Sequence, residues 1–94
     1  MATATVNGVV VAESDTTVVV EGNHYFPAES IKQEFFTDSD HTTVCGWKGT
    51  ACYYDIEVDG ARLTNVAWYY PTPKDAAKEI VNHVAFYPQV TVVT

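Results

Sequence analysis

The stretch from Val44 to Gly60, VCGWKGTACYYDIEVDG, gathers two cysteines, a tryptophan, a lysine, two tyrosines and three carboxylates into one short run. Cys45 and Cys52 come first. With His41 they make three possible zinc ligands, but a structural zinc site takes four, typically in close pairs, and no fourth follows. No metal or other cofactor is therefore expected. A cross-strand disulfide is geometrically open, yet the chain starts MATATVNGVVV, with neither the basic region nor the apolar core of a signal peptide. That start reads as cytoplasmic, where thiols stay reduced. Cys45 also reads as a nucleophilic or redox thiol, because Lys48 and His41 lie close enough in sequence to stabilise a thiolate. Against this stands a free cysteine that serves as a small buried hydrophobe.

Trp47-Lys48-Gly49 is the second candidate. A lysine on a tight loop between tryptophan and glycine can hold a carboxylate or phosphate at a pocket mouth, and Gly49 would let a ligand approach the backbone. Equally, the lysine stem can cover the indole in a cation–π contact. Asp55, Glu57 and Asp59 alternate, so a straight strand displays all three on one face. Such a trio can bind Mg²⁺ for phosphoryl or nucleotidyl transfer. The competing reading is a solvated hairpin face, with Asp59 in the turn and Glu57 facing Arg62. His24, Tyr25, Trp68, Tyr69 and Tyr70 complete the set. Tyrosine and tryptophan keep a polar handle, so a hollow lined by them can orient a small molecule, and His24 could supply acid–base chemistry.

Net charge excludes some partners. The chain carries −7, and its five bases, Lys32, Lys48, Arg62, Lys74 and Lys78, are scattered. Nucleic acid and anionic membrane both need a positive stripe, so neither is expected. No apolar run approaches the roughly 18 residues of a membrane helix.

The elements that must position these groups are mostly strands. The β-branched runs Val9 to Glu13 and Thr17 to Val20 around Ser14-Asp15 read as a first hairpin. Gly22-Asn23 marks a turn, Tyr25-Phe26 a short extended piece, and Pro27 to Ser30 one helical turn. Gln33 to Phe36 and Thr42 to Cys45 flank Thr37 to Asp40, read as a polar turn. Cys52 to Val58 alternates, and Asp59-Gly60 is the strongest hairpin signal, setting Val58 opposite Ala61, Glu57 opposite Arg62 and Ile56 opposite Leu63. Thr64-Asn65 predicts a bulge before the strand Val66 to Tyr70. Thr72, Pro73 and Asp75 then predict the start of an amphipathic helix over Pro73 to about His83, with Ala76, Ala77, Ile80, Val81 and Val84 at helical spacing. Phe86 and Val90 to Val93 close the chain as strand. The expectation is a single domain over residues 1–94, mainly β, with one helix near the C-terminus.

Taken together, VEGNHYFP, CGWKG, YYDIEVDG, AWYYP and VAFY resemble the small bacterial "domain of unknown function 427" family, some members of which carry a nucleotidyltransferase label. The resemblance runs from about Val11 to Val92. It implies a β-tent-like fold of coiled antiparallel sheets, similar to the Mss4 and methionine sulfoxide reductase B group, and no established activity. Gly46 stands where members usually have proline, and Cys52 where they often have serine or another small residue.

These readings lead to an aromatic-lined small-molecule pocket formed by Trp47, Lys48, Gly49, Tyr53, Trp68 and Tyr25, with Cys45, His24 and His41 as candidate chemical groups. The alternative is a non-catalytic interaction module, such as a homodimer built on sheet edges. A metal-dependent transferase is third.

Overall fold

The strand plan is set by two-residue turns that end in glycine. In a computed structural model describing residues 1–94, Asp59 and Gly60 have φ of 51° and 81°, as a type I′ turn requires. They join β6 (Gly49–Val58) to β7 (Ala61–Tyr69) in the expected register: Val58 faces Ala61, Glu57 faces Arg62 and Ile56 faces Leu63. Asn7-Gly8 (φ 51° and 78°) makes a second such turn, joining β1 (Ala2–Val6) to β2 (Val9–Ser14). Glu21-Gly22 (φ 54° and 80°) makes a third, joining β3 (Val18–Val20) to β4 (Asn23–Pro27).

Those two turns overturn the expected first hairpin. Ser14-Asp15 joins no paired strands, because Asn7-Gly8 hands β2 to a strand the sequence reading omitted, β1. The expected polar turn at Thr37 to Asp40 is likewise absent. β5 (Phe36–Cys45) runs straight through it, pairing with β6 on both sides of a register shift between Asp38 and Thr42. Gln33–Phe35, expected as strand, is a 3₁₀ turn, as is Ala28–Ser30.

The predicted amphipathic helix is also corrected. Its place is taken by a short 3₁₀ segment, Asp75–Ile80, kinked at Ala77 (φ −124°, ψ 24°). Thr72 does not cap it; Lys74 is the N-cap, without a side-chain hydrogen bond. The β-branched Val81 leaves the helical region and Asn82 takes φ 60°, which ends the segment. Ala77 and Ile80 are buried, whereas Ala76 and Val81 are exposed, so only part of the predicted stripe packs. Val84 belongs instead to β8 (His83–Phe86), and the chain closes with β9 (Thr91–Val93).

All pairings are antiparallel. One sheet has the order β2-β1-β9, the other β3-β4-β8-β7-β6-β5. The central strands of the larger sheet, β4, β8, β7 and β6, carry buried residues on both faces. Phe26, Ile56, Val58, Ala67, Val84 and Phe86 meet Ala2, Ala4, Val6 and Val11 of the small sheet in one core. Their chain neighbours Tyr25, Trp68 and Ala85 point the other way and join Ala51, Tyr53, Tyr70, Ala77 and Ile80 in a second, aromatic core. Alternation thus separates a core centred on aliphatic residues and phenylalanine from one centred on tyrosine and tryptophan. No helix is long and apolar enough to cross a membrane.

Candidate functional site

Each candidate side chain takes its position from the alternation just described. Lys48 sits in the turn between β5 and β6. Its backbone carbonyl accepts a hydrogen bond of 2.9 Å from the Lys74 amide, and the Lys74 ammonium donates to the Gly46 carbonyl at 2.7 Å. The segment after Tyr70 therefore holds this turn in two places. Gly49 explains why it lies so close: φ is 114°, and a Cβ there would stand 3.4 Å from the Thr72 carbonyl oxygen. What approaches Gly49 is the chain itself.

Lys48 as a residue is 7% exposed. Its ammonium lies 5.3 Å from the Trp47 ring centre and 5.6 Å from that of Tyr70, and it donates to the Glu21 carboxylate. Burial pulls its pKa down, but the Glu21 hydrogen bond and the neighbouring Tyr25 and Tyr70 phenols outweigh burial and hold it above the usual lysine value. Glu21 moves the opposite way: the Lys48 hydrogen bond, helped by the Trp47 indole, keeps its carboxyl below the usual range. An unpaired ammonium in an aromatic core would be costly to bury, so Glu21, reaching in from the β3–β4 turn, is what permits Lys48 to be there.

Behind Lys48 the aromatic groups form a connected series. The Trp68 indole N–H donates to the Tyr25 hydroxyl at 3.1 Å, and their rings meet edge to face at 6.3 Å. Trp68 lies 4.6 Å from Tyr87. Tyr87 stacks on Tyr53 at 6.4 Å, with the two hydroxyls 3.4 Å apart. Tyr53 shares a hydrogen bond with Thr43 (2.9 Å) and packs against His41 at 4.7 Å. Tyr87, an exposed residue that the sequence reading passed over as a site residue, is thus the hinge of the series. The only signal for it was its place in VAFYP.

The structure brings Tyr25, Lys48, Tyr53 and Trp68 into or beside one core, with Trp47 at its rim and His41 at its far edge. Cys45 packs at the border of that core, half-buried, and both cysteines are free thiols. No hollow opens there. The molecule has a single hollow of about 460 Å³, at the seam where the β3–β4 hairpin and the β8–β9 loop meet β9. Among its lining residues are Asn23, His24, Tyr87, Pro88, Thr91 and Thr94. His24 is the one sequence-predicted site residue that lines it. Its Nδ1 is 3.0 Å from the Thr17 hydroxyl, and its Nε2 has no protein partner.

The carboxylates of β6 do not act as a trio. Asp55 accepts from the Asn65 amide at 2.8 Å and from Arg62 at 2.9 Å, while Glu57 and Asp59 are exposed. Arg62 therefore bonds to Asp55, diagonally, instead of to Glu57 across the ladder. The predicted bulge is the reason. Asn65 takes φ 54°, and its amide, with no ladder partner, is satisfied by Asp55. That hydrogen bond, followed by Arg62, holds the Asp55 carboxyl below the usual range. No group of three or more His, Cys, Asp or Glu side chains is arranged to hold a metal ion.

A comparison with curated proteins finds no match. A family model does match, over residues 1–94, the whole chain. The chain belongs to the family described as "Domain of unknown function (DUF427)".

Proposed function

We propose that the domain binds a small molecule in the hollow at the sheet seam. One observation carries this reading: the hollow adjoins the aromatic core through Tyr87, which contacts both Trp68 and Tyr53. Its size falls within the range of small-molecule sites, roughly 300–1,000 Å³. Phe86, Pro88 and Val90 offer apolar wall, and Asn23, His24 and Thr91 offer a few polar groups. With Nδ1 bonded to Thr17, His24 keeps Nε2 for a ligand and is the acid–base candidate if a reaction occurs. Tyr53 and Trp68 act behind Tyr87 by fixing its ring. The two antiparallel sheets packed across one apolar core support a β-tent-like fold. The charge of −7 supports a partner that is not nucleic acid.

Thermal-shift screening of a metabolite library tests the proposal. A ligand that binds only the folded state adds about 2.7 kcal/mol at a hundredfold excess over Kd. His24→Ala and Tyr87→Ala should each abolish the shift of a true ligand, and Trp47→Ala should not. A shift that survives both hollow variants would place the site elsewhere.

A further inference from the structure

Lys48 and Glu21 form an ion pair whose two members are held unequally, as a fixed receptor and a mobile occupant would be. The receptor side is fixed: two hydrogen bonds from the Lys74 residue clamp the Lys48 turn, and the ammonium faces the Trp47 and Tyr70 rings. The occupant side is open. The Glu21 side chain is 51% exposed and reaches Lys48 from a two-residue turn in another hairpin. Glu21 also sits where glutamate is a poor choice. Of the five non-glycine residues with positive φ, the other four are Asn7, Asp59, Asn65 and Asn82. Asn and Asp tolerate that region far better than longer side chains do. A glutamate at φ 54° is therefore explained by its carboxylate and not by its turn.

We propose that Lys48 is the receptor of a carboxylate-binding site, held by Glu21 in the free protein, and that an aromatic carboxylate displaces Glu21, placing its anion on Lys48 and its ring against Trp47. Charge selects the class. Replacing one carboxylate by another leaves the buried ammonium equally compensated. A phosphate would add a second negative charge, and Lys74 is already bonded to the Gly46 carbonyl. Trp47, 40% exposed beside the ammonium, provides the face for a ring. The site is apart from the hollow, since neither Lys48 nor Trp47 lines it.

Benzoate is the probe, with the neutral isostere benzamide and sodium chloride at matched ionic strength as controls. Benzoate alone should raise the melting temperature of the wild-type protein and quench Trp47 fluorescence. Glu21→Ala, with the occupant removed, should bind benzoate at least about tenfold more tightly, and Lys48→Met should not bind it. His24→Ala, in the hollow, should leave benzoate binding unchanged, which separates this test from that of the hollow. Equal effects of benzoate and benzamide on the wild-type protein would overturn the proposal. So would binding by Glu21→Ala alone, which would make Glu21 a permanent partner. The wild-type comparison decides the matter even if the variants fold poorly.

Discussion

Asp55 and Lys48 are both charged and both nearly buried, on the same short stretch of chain, yet they answer to different causes. Asp55 is a backbone cap: it satisfies the amide that the Asn65 bulge leaves without a ladder partner. Asp55→Ala should therefore cost about 1–3 kcal/mol, the range for orphaning a buried donor. Arg62→Ala should cost under about 1 kcal/mol, because that guanidinium is half exposed. Chemical denaturation of both variants checks the order, and equal losses would make the ion pair, not the cap, the main role. The Lys48–Glu21 pair predicts an asymmetry instead. Glu21→Ala leaves an ammonium buried without its anion. Lys48→Met puts an apolar chain of similar length into an aromatic core and leaves a carboxylate already in water. Glu21→Ala should thus be the more destabilising of the two by denaturant midpoint, the reverse of what exposure alone suggests.

Elements were legible in the sequence where one local rule decided them. Asp59-Gly60 fixed both turn and register because positive φ at two successive positions leaves few residue choices, and Thr64-Asn65 announced its bulge for the same reason. The same rule holds at Asn7-Gly8, whose turn gives β2 the partner β1 in place of the strand after Asp15. The helix failed for a different reason. Of the expected stripe only Ala77 and Ile80 pack from the helical segment, and a segment of six residues gains too little from helical hydrogen bonds to resist the extended preference of Val81 and Val84. The turn between β5 and β6 was placed correctly, whereas the hollow was invisible, since it is built where the start of β4 meets the β8–β9 segment, far away in the chain. Two predictions belong here. Gly60→Ala meets nothing within 4 Å, so its cost is backbone strain alone, about 1 kcal/mol. Gly49→Ala adds contact with Thr72 to a φ of 114° and should cost more, which melting curves of the pair would show. As for association, β5 is a ten-residue edge strand, but Asp38 and Asp40 and the register shift beside them guard it. The chain should sediment as a monomer, and Asp38→Val with Asp40→Val should promote self-association. A wild-type dimer would favour the interaction-module reading.

At the scale of the whole molecule, the shifted groups bound the pH range of stability from both sides. Glu21 and Asp55 have folded pKa values below their unfolded values, because Lys48 and the Asn65 amide respectively favour the charged forms. As pH falls below about 4.5, the unfolded chain takes up protons that the folded one refuses, and stability is lost. Tyr69 and Tyr87 lie on the other side, both pushed up to about 12, Tyr69 by burial and Tyr87 by its hydrogen bond with Tyr53. Lys48 is raised as well. Between about pH 10 and 12 the folded state keeps protons that the unfolded chain releases, so stability falls as pH rises. The expected curve is flat through neutrality, with an acid limb and an alkaline limb. Melting temperatures taken across this range should show both, and tyrosinate absorbance should rise at lower pH in denaturant than in the native protein. Tyr87→Phe removes one of the late-titrating phenols and should shallow the alkaline limb while leaving the acid limb unchanged. If it instead moved both limbs, the Tyr53–Tyr87 contact would be linked to the Lys48–Glu21 pair, and the aromatic core would act as one electrostatic unit from His41 to Glu21.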